Sequence, residues 1–129
     1  MKLKKLTINI LVVDVEETVS FYQQYFHAQV IAMVPERAPI EFAIIQIDEV
    51  TIMFQSVKSA TAETKVFEGV ALGGSFTLYL DVDDVAAWHE KLTGVLPIVT
   101  ELHKTFYNTS EFTVQDINGY VITFAQDLS

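Results

Sequence analysis

The sequence predicts an α+β fold made of two βαβββ repeats. Two observations carry this. Strand-like and helix-like apolar periods alternate in that order twice along the 129 residues, and one constant offset of 70 residues lays the first half over the second. The length suits a single domain. Its predicted parts are repeat one over residues 5–55, a linker over 56–74 and repeat two over 75–126.

Residues 6–13 form a β-rich run that stops at Asp14. Asp14 reads as a helix N-cap, with Glu17 three residues on as its capping-box partner. Val15, Val19, Tyr22 and Phe26 recur at helical spacing, which predicts a helix over 15–26. Residues 28–34 read as a strand and 35–39, bounded by Pro35 and Pro39, as a loop. Two apolar runs, 41–47 and 50–55, meet at Asp48-Glu49 and read as a hairpin. Residues 56–74 show no sustained period and end in Gly73-Gly74. The pattern then restarts. Residues 76–82 read as a strand, and Asp84 caps a helix carrying Val85, Trp88, Leu92 and Val95. Residues 96–102 read as a strand, and 111–115 with 120–125 as a hairpin around Asp116-Ile117-Asn118-Gly119.

The offset matches Thr7 to Thr77, Val12 to Val82, Asp14 to Asp84 and Val15 to Val85. It also matches Glu41-Phe42 to Glu111-Phe112, Ile52 to Ile122 and Phe54 to Phe124. One offset that holds from first strand to last indicates an internal duplication.

Composition narrows the function. Asp plus Glu is 17 against 8 Lys plus Arg, for a net charge of −9. Three of the basic residues, Lys2, Lys4 and Lys5, crowd the N-terminus. Nucleic-acid binding, which needs a basic stripe, is disfavoured, as is an anionic membrane surface. There is no Cys, hence no disulfide framework, thiolate nucleophile or Cys-based zinc site. The basic N-terminus and the apolar run behind it are similar to the start of a signal peptide. Asn9 breaks that run, Asp14 stops it and no small-residue cleavage site follows. The expectation is a cytoplasmic protein without a membrane span.

The segment from Asn9 to Tyr22, a strand closed by Asp14 and a helix ending in Phe21-Tyr22, resembles the opening of the vicinal oxygen chelate superfamily. That group includes glyoxalase, bleomycin-resistance proteins and extradiol dioxygenases. Leu78 to Val85 carries the same signature again, and Tyr107 to Phe112 with Asp116 to Phe124 resembles the family's closing hairpin, with Ile117 where the family has Pro. The resemblance implies paired βαβββ units whose curved mixed sheets enclose a cup, a ligand site inside it and a homodimer. Metal-dependent members hold a divalent ion with His and Glu. By the motif alignment those ligand positions are Thr7 and Met53 in one repeat and Thr77 and Thr123 in the other. A hydroxyl is a poor metal ligand and a thioether suits soft ions, so neither metal nor other cofactor is predicted.

Strand alternation places further residues on the face of those four positions. Asn9 goes with Thr7, and Tyr79 with Thr77. Phe42 and Phe112 are assigned to the same side, an assignment that a shifted turn would reverse. Tyr107 is added because the resemblance puts an aromatic near the site mouth. The predicted ligand-binding set is therefore Thr7, Asn9, Phe42, Met53, Thr77, Tyr79, Tyr107, Phe112 and Thr123, a lining for a small, mostly apolar molecule fixed by a few hydrogen bonds. Glu111 and Glu41 are read as facing away. Glu111, Asp81 and His103 are the candidates for a general base, with the surface as their plainer place. His27 is read as closing its helix and His89 as solvated.

The leading expectation is a metal-free binding protein for a hydrophobic, aromatic or cationic compound such as an antibiotic. The alternative is a glyoxalase-, dioxygenase- or lyase-like enzyme with an atypical site. A third reading is a structural dimer whose cup is filled by its own side chains.

Overall fold

The computed structural model describes all 129 residues. They fall into two compact units, Met1–Val70 and Ala71–Ser129. Each unit is a four-stranded mixed sheet with a helix on one face.

The first unit runs β1 (Asn9–Val12), α1 (Val15–Phe26), β2 (Gln29–Val34), β3 (Phe42–Ile47), β4 (Val50–Ser56) and α2 (Val57–Glu63). Its strand order is β1-β4-β3-β2. β1 is parallel to β4 and the other pairs are antiparallel. Asp14 caps α1 as expected: its carboxylate accepts the Glu17 N–H at 2.9 Å. The helix buries Val15, Val19, Phe21, Tyr22 and Phe26. Tyr22 lies 4.8 Å from Phe26 and 5.3 Å from Phe54, ring centre to ring centre. His27 ends the helix in the left-handed region at φ 55°.

The second unit runs β5 (Thr77–Asp81), α3 (Val85–Leu92), β6 (Ile98–Lys104), β7 (Thr109–Gln115) and β8 (Val121–Asp127), in the strand order β5-β8-β7-β6. Asp84 caps α3 through the Ala87 N–H at 3.1 Å. Trp88 stacks on Phe124 at 5.1 Å, and Phe124 stacks on Phe112 at 4.9 Å.

Several expectations are corrected. The 56–74 segment is not featureless: Ser56 caps α2 by accepting the Ser59 N–H at 3.0 Å, and a 3₁₀ turn follows over Lys65–Phe67. A seven-residue helix is too short for an apolar period to show. α3 stops at Leu92, before Val95, where Gly94 adopts φ +84°. β6 begins at Ile98 and runs through His103, which therefore lies in a strand.

The two repeats differ in one consequential way. The first hairpin turns in two residues, with Ile47 opposite Val50; the second takes five, with Gln115 opposite Val121. Asp116 organises the longer turn. Its carboxylate accepts the N–H of Asn118 and of Tyr120, each at 2.9 Å. Gly119 (φ +86°) and Gly73 approach so closely there that a Cβ on Gly73 would lie 2.8 Å from the Gly119 carbonyl oxygen. The longer turn displaces β7 by one residue relative to the constant offset, and a one-residue slip turns every side chain to the other face.

Candidate functional site

Each sheet has a face covered by its helix and a face turned away from it. On the first sheet, Asn9, Met53, Gln55, Phe42 and Ile44 share the uncovered face, as their register requires. The Asn9 side-chain amide donates to Gln55 at 2.9 Å. Gln55 is buried and donates in turn to Ser59 (3.0 Å) and Glu63 (3.2 Å) on α2. Phe42 is on the predicted side. Thr7 lies just before β1, where the Ile8 carbonyl continues the ladder by accepting the Met53 N–H.

On the second sheet, Thr77, Tyr79, Thr123, Thr113 and Glu111 share the uncovered face. The Thr113 and Thr123 hydroxyls are 2.9 Å apart and hydrogen-bonded to each other. Two assignments are reversed. Phe112 is fully buried on the helix side, stacked on Phe124 and edge-on to His89 at 5.1 Å, so it does not line the uncovered face. Glu111, expected to point away, takes that place. The slipped register of β7 is the cause of both. His89 is likewise not simply solvated: its ring packs on Phe112 and its Nε2 lies 2.6 Å from Glu101.

Glu111 is the most organised group on this face. It is only 5% exposed, yet its carboxylate has no Lys or Arg partner. Three hydroxyls hold it instead. Tyr79 donates at 2.5 Å and Thr109 at 2.8 Å to one oxygen, and Tyr107 donates at 3.0 Å to the other. His103 is its register partner on β6. Burial works to raise the Glu111 pKa, but the bonds from Tyr79, Thr109 and Tyr107, with His103 beside them, bring it below the ordinary 4.5. The same bond pushes the Tyr79 pKa up to about 12, and burial adds to the rise. Burial and the bond to Glu111 also raise Tyr107. Tyr79 and Tyr107 are each about half exposed, so the two phenols whose hydroxyls reach the carboxylate also meet solvent. Asp81, at the end of β5, is exposed and Glu111 is not bonded to it.

Sequence reasoning named Tyr79, Tyr107 and Glu111 separately but did not join them. The signal available was the length of the second turn. Asp116 to Gly119 offers a wider turn than Asp48-Glu49, and an odd difference in turn length reverses a strand's faces.

The family model of the Glyoxalase/Bleomycin resistance protein/Dioxygenase superfamily matches residues 5–124. The chain belongs to that superfamily. Solved structures agree on the fold. TioX from Micromonospora sp. ML1 superposes with a TM-score of 0.75 at 19% identity, covering 97% of this chain and 99% of its own. A glyoxalase/bleomycin resistance protein/dioxygenase family enzyme from Burkholderia phytofirmans PsJN gives 0.78 at 21% identity, covering 95% and 97%. The fosfomycin resistance protein FosX from Listeria monocytogenes gives 0.73 at 12% identity, covering 98% and 94%. A search of curated proteins finds no match.

FosX has also been solved with Mn(II). The donors at the positions that the family resemblance assigns to metal ligands, Thr7, Met53, Thr77 and Thr123, are three hydroxyls and a thioether, and one hydroxyl is already bonded to Thr113. They do not fit a hard divalent ion. Nor does any group of three or more His, Asp or Glu converge elsewhere in a way that could hold a metal. No helix is long and apolar enough to cross a membrane.

Proposed function

We propose that this protein binds a small hydrophobic or aromatic molecule without a metal, and sequesters it, as an antibiotic-binding protein would. The observation that carries this is the make-up of each sheet's uncovered face taken by itself: on the first, Phe42 and Met53 supply apolar surface and Asn9 a fixed amide; on the second, Tyr79 supplies aromatic surface, with Tyr107 bonded beside it, and Thr77, Thr123 and Glu111 a few fixed polar groups. Ligand sites commonly combine these two ingredients. The enzyme alternative is weaker on the same geometry. A general base works best with its pKa near the operating pH. Glu111 is shifted the other way and is already committed to three hydroxyls. The reading includes a homodimer in the cytoplasm, and the edge strand β6, with Val99 and Leu102 exposed, offers an unpaired edge for association.

The test is thermal unfolding in the presence of a chelator against a panel of aromatic antibiotics. At a ligand concentration of about 100 Kd, stabilisation of about 2.7 kcal/mol is expected, unchanged by chelator. Stabilisation that appears only when a divalent metal is added would overturn the reading. So would chemical conversion of a bound compound that is lost in Glu111→Gln.

A further inference from the structure

We infer that the second sheet's uncovered face recognises a small organic cation, an ammonium or guanidinium group attached to an apolar body, which docks at Glu111 between the rings of Tyr79 and Tyr107. The inference rests on the binding reading above and commits it to one class of ligand.

The argument begins with the cost of burying a charge. A carboxylate removed from water is stable only when paired or well hydrogen-bonded. Glu111 has hydrogen bonds but no bonded cation: the three groups that hold it, Tyr79, Thr109 and Tyr107, are all neutral hydroxyls. They disperse the negative charge without cancelling it. His103, the register partner of Glu111 on the neighbouring strand, is able to carry positive charge, but its Nδ1 is engaged 2.8 Å from the Glu101 carbonyl oxygen. An uncancelled anion in a partly dry place attracts a cation far more strongly than one in bulk water.

Acceptor capacity agrees. An ionised carboxylate offers about four lone-pair sites. One Glu111 oxygen takes both Tyr79 and Thr109, and the other takes Tyr107 alone. The oxygen bonded to Tyr107 keeps one lone pair for a further donor. That donor would arrive between two half-exposed phenol rings. Aromatic faces stabilise ammonium and guanidinium groups, and do so more strongly as the cation is desolvated. The net charge of −9 adds a long-range pull in the same direction.

The hydroxyl bonds also set the working range. They favour the ionised carboxylate, so from the ordinary 4.5 upward the anion coexists with a protonated amine. A site meant to deliver or remove protons would not be poised in this way.

The first sheet gives an internal contrast. The positions matching Tyr79 and Glu111 in strand register are Asn9 and Phe42, and the buried polar group there is the neutral Gln55. Cation selectivity therefore belongs to the second sheet.

The test compares benzylammonium with benzyl alcohol, which has nearly the same shape and no charge. Binding is followed through the ring resonances of Tyr79 and Tyr107 in ¹H–¹³C spectra at low and moderate salt. Benzylammonium is expected to shift both rings and to bind at least about 10-fold more tightly than the alcohol, a difference of about 1.4 kcal/mol. Added salt should weaken it. Glu111→Gln, close to isosteric, should remove the preference, with its folding checked by the same spectra. Should that variant fold poorly, the exposed Tyr107 supplies a second pair: Tyr107→Phe keeps the ring and should retain most of the preference, whereas Tyr107→Leu should lose most of it. Equal binding of the two probes, no response to benzylammonium, or full affinity in both Glu111→Gln and Tyr107→Leu would each overturn the inference. If the alcohol binds as well as the amine, the binding reading survives and only the cation claim falls. If a metal proves necessary for any ligand, the binding reading itself falls.

Discussion

The uncovered faces of the two sheets descend from one pattern and have diverged in chemistry. On the first, Asn9 bonds to Gln55, and Gln55 continues to Ser59 and Glu63 on α2, a chain of amide and hydroxyl groups. On the second, the residue matching Asn9 is Tyr79, and it bonds instead to a buried carboxylate on β7, across the intervening β8. The difference traces to a turn. Two residues close the first hairpin and five close the second. The register of β7 shifts by one, Phe112 moves to the helix side and Glu111 moves to the uncovered side. A short insertion far from the site thus exchanged an aromatic for an anion without changing the residues themselves.

The largest expected effect tests that exchange directly. Phe42 and Phe112 match by sequence offset but lie on opposite faces. Phe112→Ala, which opens a cavity between Phe124 and His89, should cost about 3–5 kcal/mol in urea unfolding. Phe42→Ala, on a partly exposed face, should cost about 1–2 kcal/mol. Similar losses at both positions would contradict the assigned faces.

Next in size is Glu111→Leu. It strands the hydroxyls of Tyr79, Thr109 and Tyr107 and should cost about 1–3 kcal/mol. Gln55→Leu on the first sheet should cost about 1 kcal/mol, because it removes a neutral amide instead of an ionised carboxylate. Equal costs would mean that the carboxylate cluster is no better organised than the amide one.

pH separates the two sheets further. The Glu111 pKa is lowered on folding, so its contribution is fully present above the ordinary 4.5 and is lost as pH falls through the folded value. Tyr79 is raised from 10.0 to about 12, so its contribution is present below 10.0 and lost as pH rises through about 12. The stability gap between the native protein and Glu111→Gln should therefore be constant from neutral pH down to about 4.5 and close below it. A gap that stays open in acid would show that the carboxylate's charge is not what the hydroxyls recognise.

The smallest effects should be the same in both units. Asp14→Ala and Asp84→Ala remove equivalent helix caps, and each should cost about 1 kcal/mol. A large inequality would mean that one helix is held chiefly by its cap and the other by packing.

The parts of this architecture that were legible in the sequence are those governed by local rules. Asp14 and Asp84 announce their helices because capping is a contact over three residues. The Val15, Val19, Tyr22, Phe26 stripe announces its buried face because period and packing coincide. The offset of 70 announces the duplication. Other features depend on where distant segments meet. α2 is too short to show a period and is held by Ser56 and Gln55. The Glu111 cluster joins residues 79, 107, 109 and 111 across two strands and a turn, and needs a register that repeat symmetry alone predicts wrongly. The absence of metal-ligand residue types at positions 7, 53, 77 and 123 needed only their identities and the family alignment.

The central claim is that binding here proceeds without a metal. Calorimetric titration of chelator-treated protein with Mn(II), Fe(II), Ni(II) and Zn(II) tests it most directly. The account predicts no stoichiometric site tighter than ~10 μM for any of the four ions. A one-to-one site below that value, worth more than about 7 kcal/mol, would contradict it and make the enzyme alternative the leading function.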